Sequence, residues 1–366
     1  MGHTRYRSHR STGRCRVVCA RWAVDGLSGV PQTARRLRGK LMRQHELIII
    51  GAGPIGLAAA IEAKRAGLDF VVLEAGALCQ SLIEYPIGMR FYSPADELAI
   101  GGYPFPTPHD EKPSREMALN YYRKVASAEN LPVRTYERVE RIERRSDSFL
   151  LHTARLPHGT PTWYEARCVL VCTGIWGKER RLTVEGATLP HVLTRYDEPI
   201  RFWRKRVLIV GSGNSAGEAA IRLADSDARV WLAVEPPTLE QCKFRPFILR
   251  EILLRVEEGR ITPLTETHIL RILPECADLR CAQGVESLPV DFVLTLIGLE
   301  PDPTLLAPLG VPFGADGKPQ HDPETYETVI PGLFVGGALS QDGFIYVARE
   351  RVRQAIASVR ERVRAE

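Results

Sequence analysis

The 366 residues are 44% hydrophobic and 25% charged, an ordinary globular composition, and the length predicts two domains, each able to bury its own core. The net charge of +5 belongs to one segment: residues 1–41 hold nine Arg, one Lys and one acid, Asp25, which leaves about −4 on residues 42–366. That imbalance excludes an argument for a nucleic-acid partner from overall charge, and no apolar run reaches the roughly 18 residues of a membrane span.

Residues 1–41 are Arg-rich, and Val17-Val18-Cys19-Ala20 is too short for the core of a secretory signal. We expect translation to start at Met42, with 1–41 disordered or a misassigned extension. Leu47 to Ile50 then reads as a buried parallel strand, followed by Gly51-Ala-Gly53-Pro54-Ile55-Gly56, a G-x-G-x-x-G, and by a helix from Leu57 toward Gly67. A second strand, Phe70–Leu73, ends in Glu74, 23 residues after Gly51. Each part has a physical task. Gly51 allows the tight turn, Gly53 lets a pyrophosphate reach the backbone, and Gly56 lets the helix pack on the strand. The helix N-terminus offers free N–H groups to phosphate, and Glu74 can accept from a ribose diol.

Residues 75–113 are rich in Gly, Pro and aromatics and read as the wall of a cofactor or substrate cavity, or as packing. Ser114 caps a helix with Met117, Leu119, Tyr122 and Val125 as its apolar positions. Val133–Val139, Ile142 and Phe149–Thr153 alternate as a small antiparallel sheet, and Arg167–Val171 is a further strand ending in Cys172-Thr173-Gly174. The pattern then repeats. Arg206–Val210 leads into Gly211-Ser-Gly213-Asn214-Ser215-Ala216, a helix to about Ala224, and a strand, Arg229–Val234, ending in Glu235, 24 residues after Gly211. Two complete fingerprints about 160 residues apart predict two dinucleotides, of which the usual pair is a flavin and a nicotinamide. The tail adds strands at Asp291–Gly298 and Thr328–Gly337. A last helix over about Val347–Arg364 has a buried stripe of Val352, Ile356, Val359 and Val363, and its charged face reads as solvated.

Eight cysteines are scattered without a C-x-x-C, which predicts reduced thiols, a cytoplasmic protein and no metal site. Cys168 and Cys172, four apart on an apolar run, read as core filling.

These motifs together resemble the thioredoxin-reductase-like flavoproteins with two dinucleotide domains, and within them the bacillithiol disulfide reductases. The likeness runs from about Glu46 to Val359. It is carried by Gly51–Gly56, Glu84-Tyr85-Pro86, Phe91–Gly101, Pro104-Phe105, Gly211–Ala216, Arg245–Leu249 and Gly332–Gly337. The resemblance implies an α/β fold of two Rossmann-like three-layer domains. In it, a nicotinamide domain (176–296) is inserted in a discontinuous FAD domain (42–175 and 297–366). It places Gly51, Gly53, Pro54, Ile55, Gly56, Glu74, the backbone of Val139, Thr173, Gly174, Gly336 and Gly337 around FAD. It places Gly211, Gly213, Asn214, Ser215, Ala216 and Glu235 around NAD(P)H. It further implies a small-molecule or small-protein electron acceptor, no nucleic-acid or membrane partner, and a homodimer.

Two departures bear on chemistry. No cysteine lies in Ile175–Lys205, where thioredoxin reductases carry a C-x-x-C, and Ile55 stands where the bacillithiol-type proteins have a cysteine proposed as catalytic. A dithiol relay through the enzyme is excluded, no catalytic residue is assigned, and Cys79 reads as structural. Glu235-Pro236-Pro237 also replaces the Arg that would pair a 2′-phosphate, which favours NADH, whereas Lys243 and Arg245 are the cations that would serve NADPH. The reading is an NAD(P)H-dependent flavin oxidoreductase acting on a low-molecular-weight disulfide or a small electron carrier. Two alternatives stay open. A flavin-containing monooxygenase is suggested by Gly186, His191 and Tyr196, which approach its hallmark with wrong spacings. The other is a redox-sensing flavoprotein without turnover. Phe344 or Tyr346, at the start of the last helix, is expected to cover the flavin ring.

Overall fold

The computed structural model describes residues 42–108, 111–174, 178–282, 284–340 and 343–365. The expectation for residues 1–41 lies outside them. In chain order, β1 (Met42–Ile50), α1 (Pro54–Arg65) and β2 (Phe70–Leu73) form the first βαβ opening. Two one-turn helices, Gln80–Ile83 and Ala95–Leu98, precede α2 (Arg115–Ala128), where Ser114 Oγ accepts from the Met117 amide at 3.2 Å as an N-cap. Next come β3 (Val133–Arg134), β4 (Glu137–Arg144), β5 (Phe149–Arg155) and β6 (Thr160–Val171). The single strand expected over 133–139 is two, because Tyr136 turns the chain at φ 55°.

The second part runs through β7 (Lys178–Glu179), β8 (Val192–Leu193), β9 (Arg206–Val210), α3 (Asn214–Asp225), β10 (Arg229–Ala233), α4 (Pro246–Glu257) and β11 (Ile261–Leu264). β12 (His268–Ile272), β13 (Cys276–Cys281), β14 (Gly284–Pro289), β15 (Phe292–Thr295) and β16 (Leu299–Glu300) follow, then β17 (Leu333–Val335) and α5 (Ile345–Arg364).

The first sheet has the order β3-β2-β1-β6-β5-β4, with β17 also on β6. On the edge away from β1, β6 serves two partners because it is long: its first half pairs antiparallel with β5 and its last three residues pair parallel with β17. Both faces are covered. Leu47 and Ile49 of β1 point into a core with α1, α2 and α5, while Ile48 and Ile50 join Val139, Ile142 and Leu151 on the other side. A continuous apolar run is what a strand buried on both faces requires. The stripe on α5 is buried as expected, and its four aliphatic side chains together stabilise the lobe by at most roughly 6–12 kcal/mol.

The second sheet is parallel throughout, ordered β11-β10-β9-β15-β8. Val207 and Ile209 face α3 and α4, whereas Leu208 faces the antiparallel β12-β13-β14 layer. Its strands come from between β6 and β17, so the second Rossmann-like lobe interrupts the first, and β7 pairs antiparallel with β16 where the chain passes between them. Among the described residues no helix is long and apolar enough to cross a membrane.

Candidate functional site

The first cradle is set by how closely α1 approaches its turn. Gly51 has φ +104°, and a Cβ on it would lie 2.6 Å from the Cys172 carbonyl oxygen. A Cβ on Gly56 would lie 1.9 Å from the Gly51 carbonyl oxygen. At Gly53 the space is open, and a Cβ there would meet nothing within 4 Å. Gly53 is the N-cap of α1, Pro54 has no N–H, and no side chain caps the helix, so the Ile55 and Gly56 amides remain available to an anion. Glu74 is 8% exposed; its two oxygens accept from the Ala52 and Gly76 amides, each at 2.8 Å. Each oxygen keeps a further lone pair for a diol.

The remaining predicted residues of this cradle converge on the same turn, with Val139 a step further off. Thr173 Cα is 3.3 Å from the Cβ position of Gly51, and Gly174 follows at φ +71°. The Gly336 amide donates to the Val171 carbonyl at 3.0 Å, and a Cβ on Gly337 would meet the Ile55 side chain at 3.4 Å. Val139 lies on β4 at a register shift against β5; two residues earlier the Glu137 amide donates to the Glu74 carbonyl at 2.8 Å. These close approaches and the open face at Gly53 fit a dinucleotide pyrophosphate.

The second cradle repeats the design. Gly211 has φ +144° and a Cβ there would sit 2.4 Å from the Leu296 carbonyl oxygen, while Gly213, the N-cap of α3, is open. Ala216 is fully buried and Ser215 exposed. Asn214 Oδ1 accepts from the Arg245 amide at 2.8 Å, and the Lys243 amide donates to the Ser212 carbonyl at 2.9 Å, so the segment before α4 is stitched to the glycine turn. The Glu235 side chain is 80% exposed, with His268 Nδ1 at 3.9 Å.

Among the described residues, the cysteines nearest the first cradle are not presented to it. Cys79 is 1% exposed, its Sγ donates to the Ala52 carbonyl at 3.5 Å, and burial, with Glu74 second, pushes its pKa far above the ordinary thiol value. Cys172 lies under the turn, 3.1 Å from the Cβ position of Gly336, and burial pushes it up to about 12. Cys168 and Cys172 both belong to the core of the first lobe, as their spacing predicts.

Several site-adjacent residues carry no local sequence signal, because two lobes create them. Arg195 of the second lobe pairs with both Glu84 and Glu179. The Ile87 amide donates to the Asp197 carbonyl at 3.0 Å, and Arg222 donates to the Ile87 carbonyl. Tyr92 packs edge-on against Phe247 at 5.1 Å. The Arg245 guanidinium stacks between Tyr92 (5.1 Å) and Phe344 (5.5 Å). Burial raises the Glu218 carboxyl against the pull of Tyr92 and Arg222. The Tyr92 hydroxyl lies beside that carboxyl without meeting hydrogen-bond geometry, so the contact is electrostatic. Phe344 and Tyr346 are partly exposed, 5.7 Å apart, at the start of α5. The 75–113 segment packs into the core and also lines a cavity. Leu82, Phe91, Leu98 and Phe105 pack into the core, while Pro94, Tyr103 and Phe105 line a cavity of about 750 Å³ with Arg349 and Arg353. Gly186 has a packing reason for being glycine: its Cβ would lie 1.8 Å from the Ile272 carbonyl oxygen.

A mixed sheet and a parallel sheet, each with a glycine turn opening a helix and an acid just past the second strand, define a two-dinucleotide oxidoreductase. The chain belongs to the pyridine nucleotide-disulphide oxidoreductase family, which matches residues 48–337. It is 31% identical over 302 residues to the bacilliredoxin reductase Bdr of Bacillus subtilis, covering 82% of this chain and 91% of that protein. A ferredoxin–NADP reductase of Ignicoccus hospitalis is 26% identical over 310 residues, covering 81% and 90%. The solved bacillithiol disulfide reductase Bdr of Bacillus cereus superposes with a TM-score of 0.83 at 28% identity, covering 87% of this chain and all of that one. The chain is an NAD(P)H-dependent flavoprotein oxidoreductase whose cofactors are FAD and NAD(P)H.

Proposed function

We propose that FAD is held at Gly51–Gly56 and the nicotinamide coenzyme at Gly211–Ala216, in the inserted domain 176–296. Electrons leave to a low-molecular-weight disulfide, bacillithiol-disulfide-like, or to a small carrier protein, with no redox-active thiol of the enzyme taking part. The observation that carries this reading is the thiol-free cradle: Ile55 occupies the turn, and the two nearby cysteines, Cys79 and Cys172, are buried with raised pKa. A thiol must be exposed and ionised to attack a disulfide.

When bound, FAD supplies the chemistry, taking hydride from the nicotinamide and passing two electrons onward. The chain's own residues bind and orient. The Ile55 and Gly56 amides face the first pyrophosphate, Glu74 takes the ribose, and the amides opening α3 face the second pyrophosphate. The relatives named for bacilliredoxin and for ferredoxin support the disulfide and the carrier branches respectively. A homodimer in a cytoplasm completes the reading.

The test is an anaerobic titration of the full chain with NADH and with NADPH, following flavin absorbance at roughly 450 nm. Bleaching is expected. Oxidised bacillithiol or a ferredoxin is then added to enzyme pretreated with N-ethylmaleimide, and the colour should return at the untreated rate. Purified protein without flavin, or reoxidation abolished by the alkylating agent, refutes the proposal.

A further inference from the structure

The turn after β10 carries a second layer of information about the coenzyme. Glu235 lies two residues past the strand that faces the Gly211 turn, where the Gly211 amide donates to the Ala233 carbonyl at 3.1 Å. Its carboxylate is open to solvent, with His268 Nδ1 at 3.9 Å. Pro236 and Pro237 follow, and neither has an N–H, so the turn lacks two of the backbone donors that a phosphate at this corner would use.

Of the two cations that sequence offers for a 2′-phosphate, the arginine is placed for other work. Arg245 is held at both ends: its amide is on Asn214 Oδ1, and its guanidinium lies between the Tyr92 and Phe344 rings. Turning it toward Glu235 would break both cation–π contacts. Lys243 is exposed, but its backbone is tied to Ser212 and paired beside Gly213, next to the turn that faces the pyrophosphate. A carboxylate, two prolines and a pinned arginine make a corner that accepts a ribose diol and repels a phosphate dianion.

We propose that this cradle selects NADH over NADPH, with Glu235 as the discriminating residue and Arg245 withheld by its two aromatic neighbours. The inference rests on the assignment of the nicotinamide coenzyme to Gly211–Ala216 made above. It sets this chain apart from the relative named for NADP.

Isothermal titration calorimetry of the full-length holoprotein with NAD⁺ and with NADP⁺ tests it without turnover. NAD⁺ should bind at least roughly tenfold more tightly, the size expected from one near-surface charge repulsion plus one lost charge-assisted hydrogen bond. Glu235→Ser should erase most of that ratio, and Glu235→Arg should invert it. Glu235 is a surface side chain, so neither variant threatens the fold. Anaerobic reduction rates at limiting NADH and NADPH should follow the same order. Equal or tighter binding of NADP⁺ by the wild type, or a ratio unmoved in Glu235→Arg, overturns the inference while leaving the two-cradle reading standing. Binding of neither nucleotide overturns both.

Discussion

Alanine at Gly53 and at Gly56 separates the folding task of the first glycine turn from its ligand task. At Gly56 the new Cβ would fall 1.9 Å from the Gly51 carbonyl oxygen and 3.0 Å from its carbon. Both are backbone atoms, so ordinary contact at roughly 3.5 Å requires α1 to withdraw by about 1.5 Å. That displacement carries the Ile55 and Gly56 amides off the turn and loosens the fully buried Leu57–Ile61 face. Overpacking of this kind costs about 1–3 kcal/mol, a fall in Tm of several degrees. Gly53 is different. Its φ of −74° and ψ of −179° suit any residue, and its Cβ would meet nothing within 4 Å. Gly53→Ala should therefore leave the flavin-free protein within about 0.5 kcal/mol of wild type, yet obstruct the close approach of the pyrophosphate. Flavin per chain, read from absorbance after purification, and melting of the stripped proteins give the two readouts. Gly56→Ala should lose both flavin and stability, and Gly53→Ala flavin alone. Full flavin occupancy in Gly53→Ala would refute the placement of a pyrophosphate there, and an unshifted melt of Gly56→Ala would refute the packing argument.

Three further outcomes follow from particular contacts. Glu137 is 2% exposed and accepts from Thr153 Oγ1 (3.1 Å) and Tyr164 OH (2.9 Å), with Arg155 at 3.5 Å. Glu137→Ala takes the acceptor from Tyr164 OH, while Thr153 Oγ1 keeps the Thr162 carbonyl at 3.2 Å, and should cost roughly 1–3 kcal/mol in urea unfolding, whereas a change below about 0.5 kcal/mol would contradict the buried network. Iodoacetamide at pH 8, mapped by mass spectrometry, should leave Cys79 and Cys172 unlabelled in the folded chain, since burial and raised pKa keep both as thiols; rapid labelling of either would reopen a thiol mechanism. Burial raises the Glu218 carboxyl, so its stabilising contribution is fully present below the ordinary carboxylate pKa and is lost as pH rises through the folded value. Glu218→Gln should thus gain stability on wild type as pH climbs from 4 toward neutrality (about the range an ordinary carboxylate spans on titrating upward), and a difference independent of pH would show that the burial is not felt.

Local patterns are legible where one stretch of chain supplies all the physics. Four apolar residues, three glycines at fixed spacing and an acid after the next strand are enough to build each cradle, because turn, helix end and strand end are neighbours in sequence. The α5 stripe is legible for the same reason. Its start is Ile345 rather than the expected Val347, since Phe344 caps the helix without a polar side chain to announce it. The 75–113 segment is readable as ordered from its aromatics, but its division between core and cavity is not. Phe91 and Phe105 are buried by elements far along the chain, and no spacing rule says which aromatic will be.

What sequence could not show is the seam between the lobes, and the seam is where this chain's individuality lies. Glu218 sits two residues beyond the second fingerprint, and burial raises its carboxyl against the pull of Tyr92, which arrives from the other lobe. Arg195 reads as one more surface arginine until Glu84 arrives from 111 positions away. Arg245 reads as a free cation for a phosphate until Tyr92 and Phe344, each from the other lobe, bring their rings to its guanidinium. In all three cases the meaning of a charged residue is set by a partner from the other lobe, with no sequence period linking the two. A fingerprint can therefore point to two dinucleotides, while the partner that a charged residue meets across the seam has to be read from the fold.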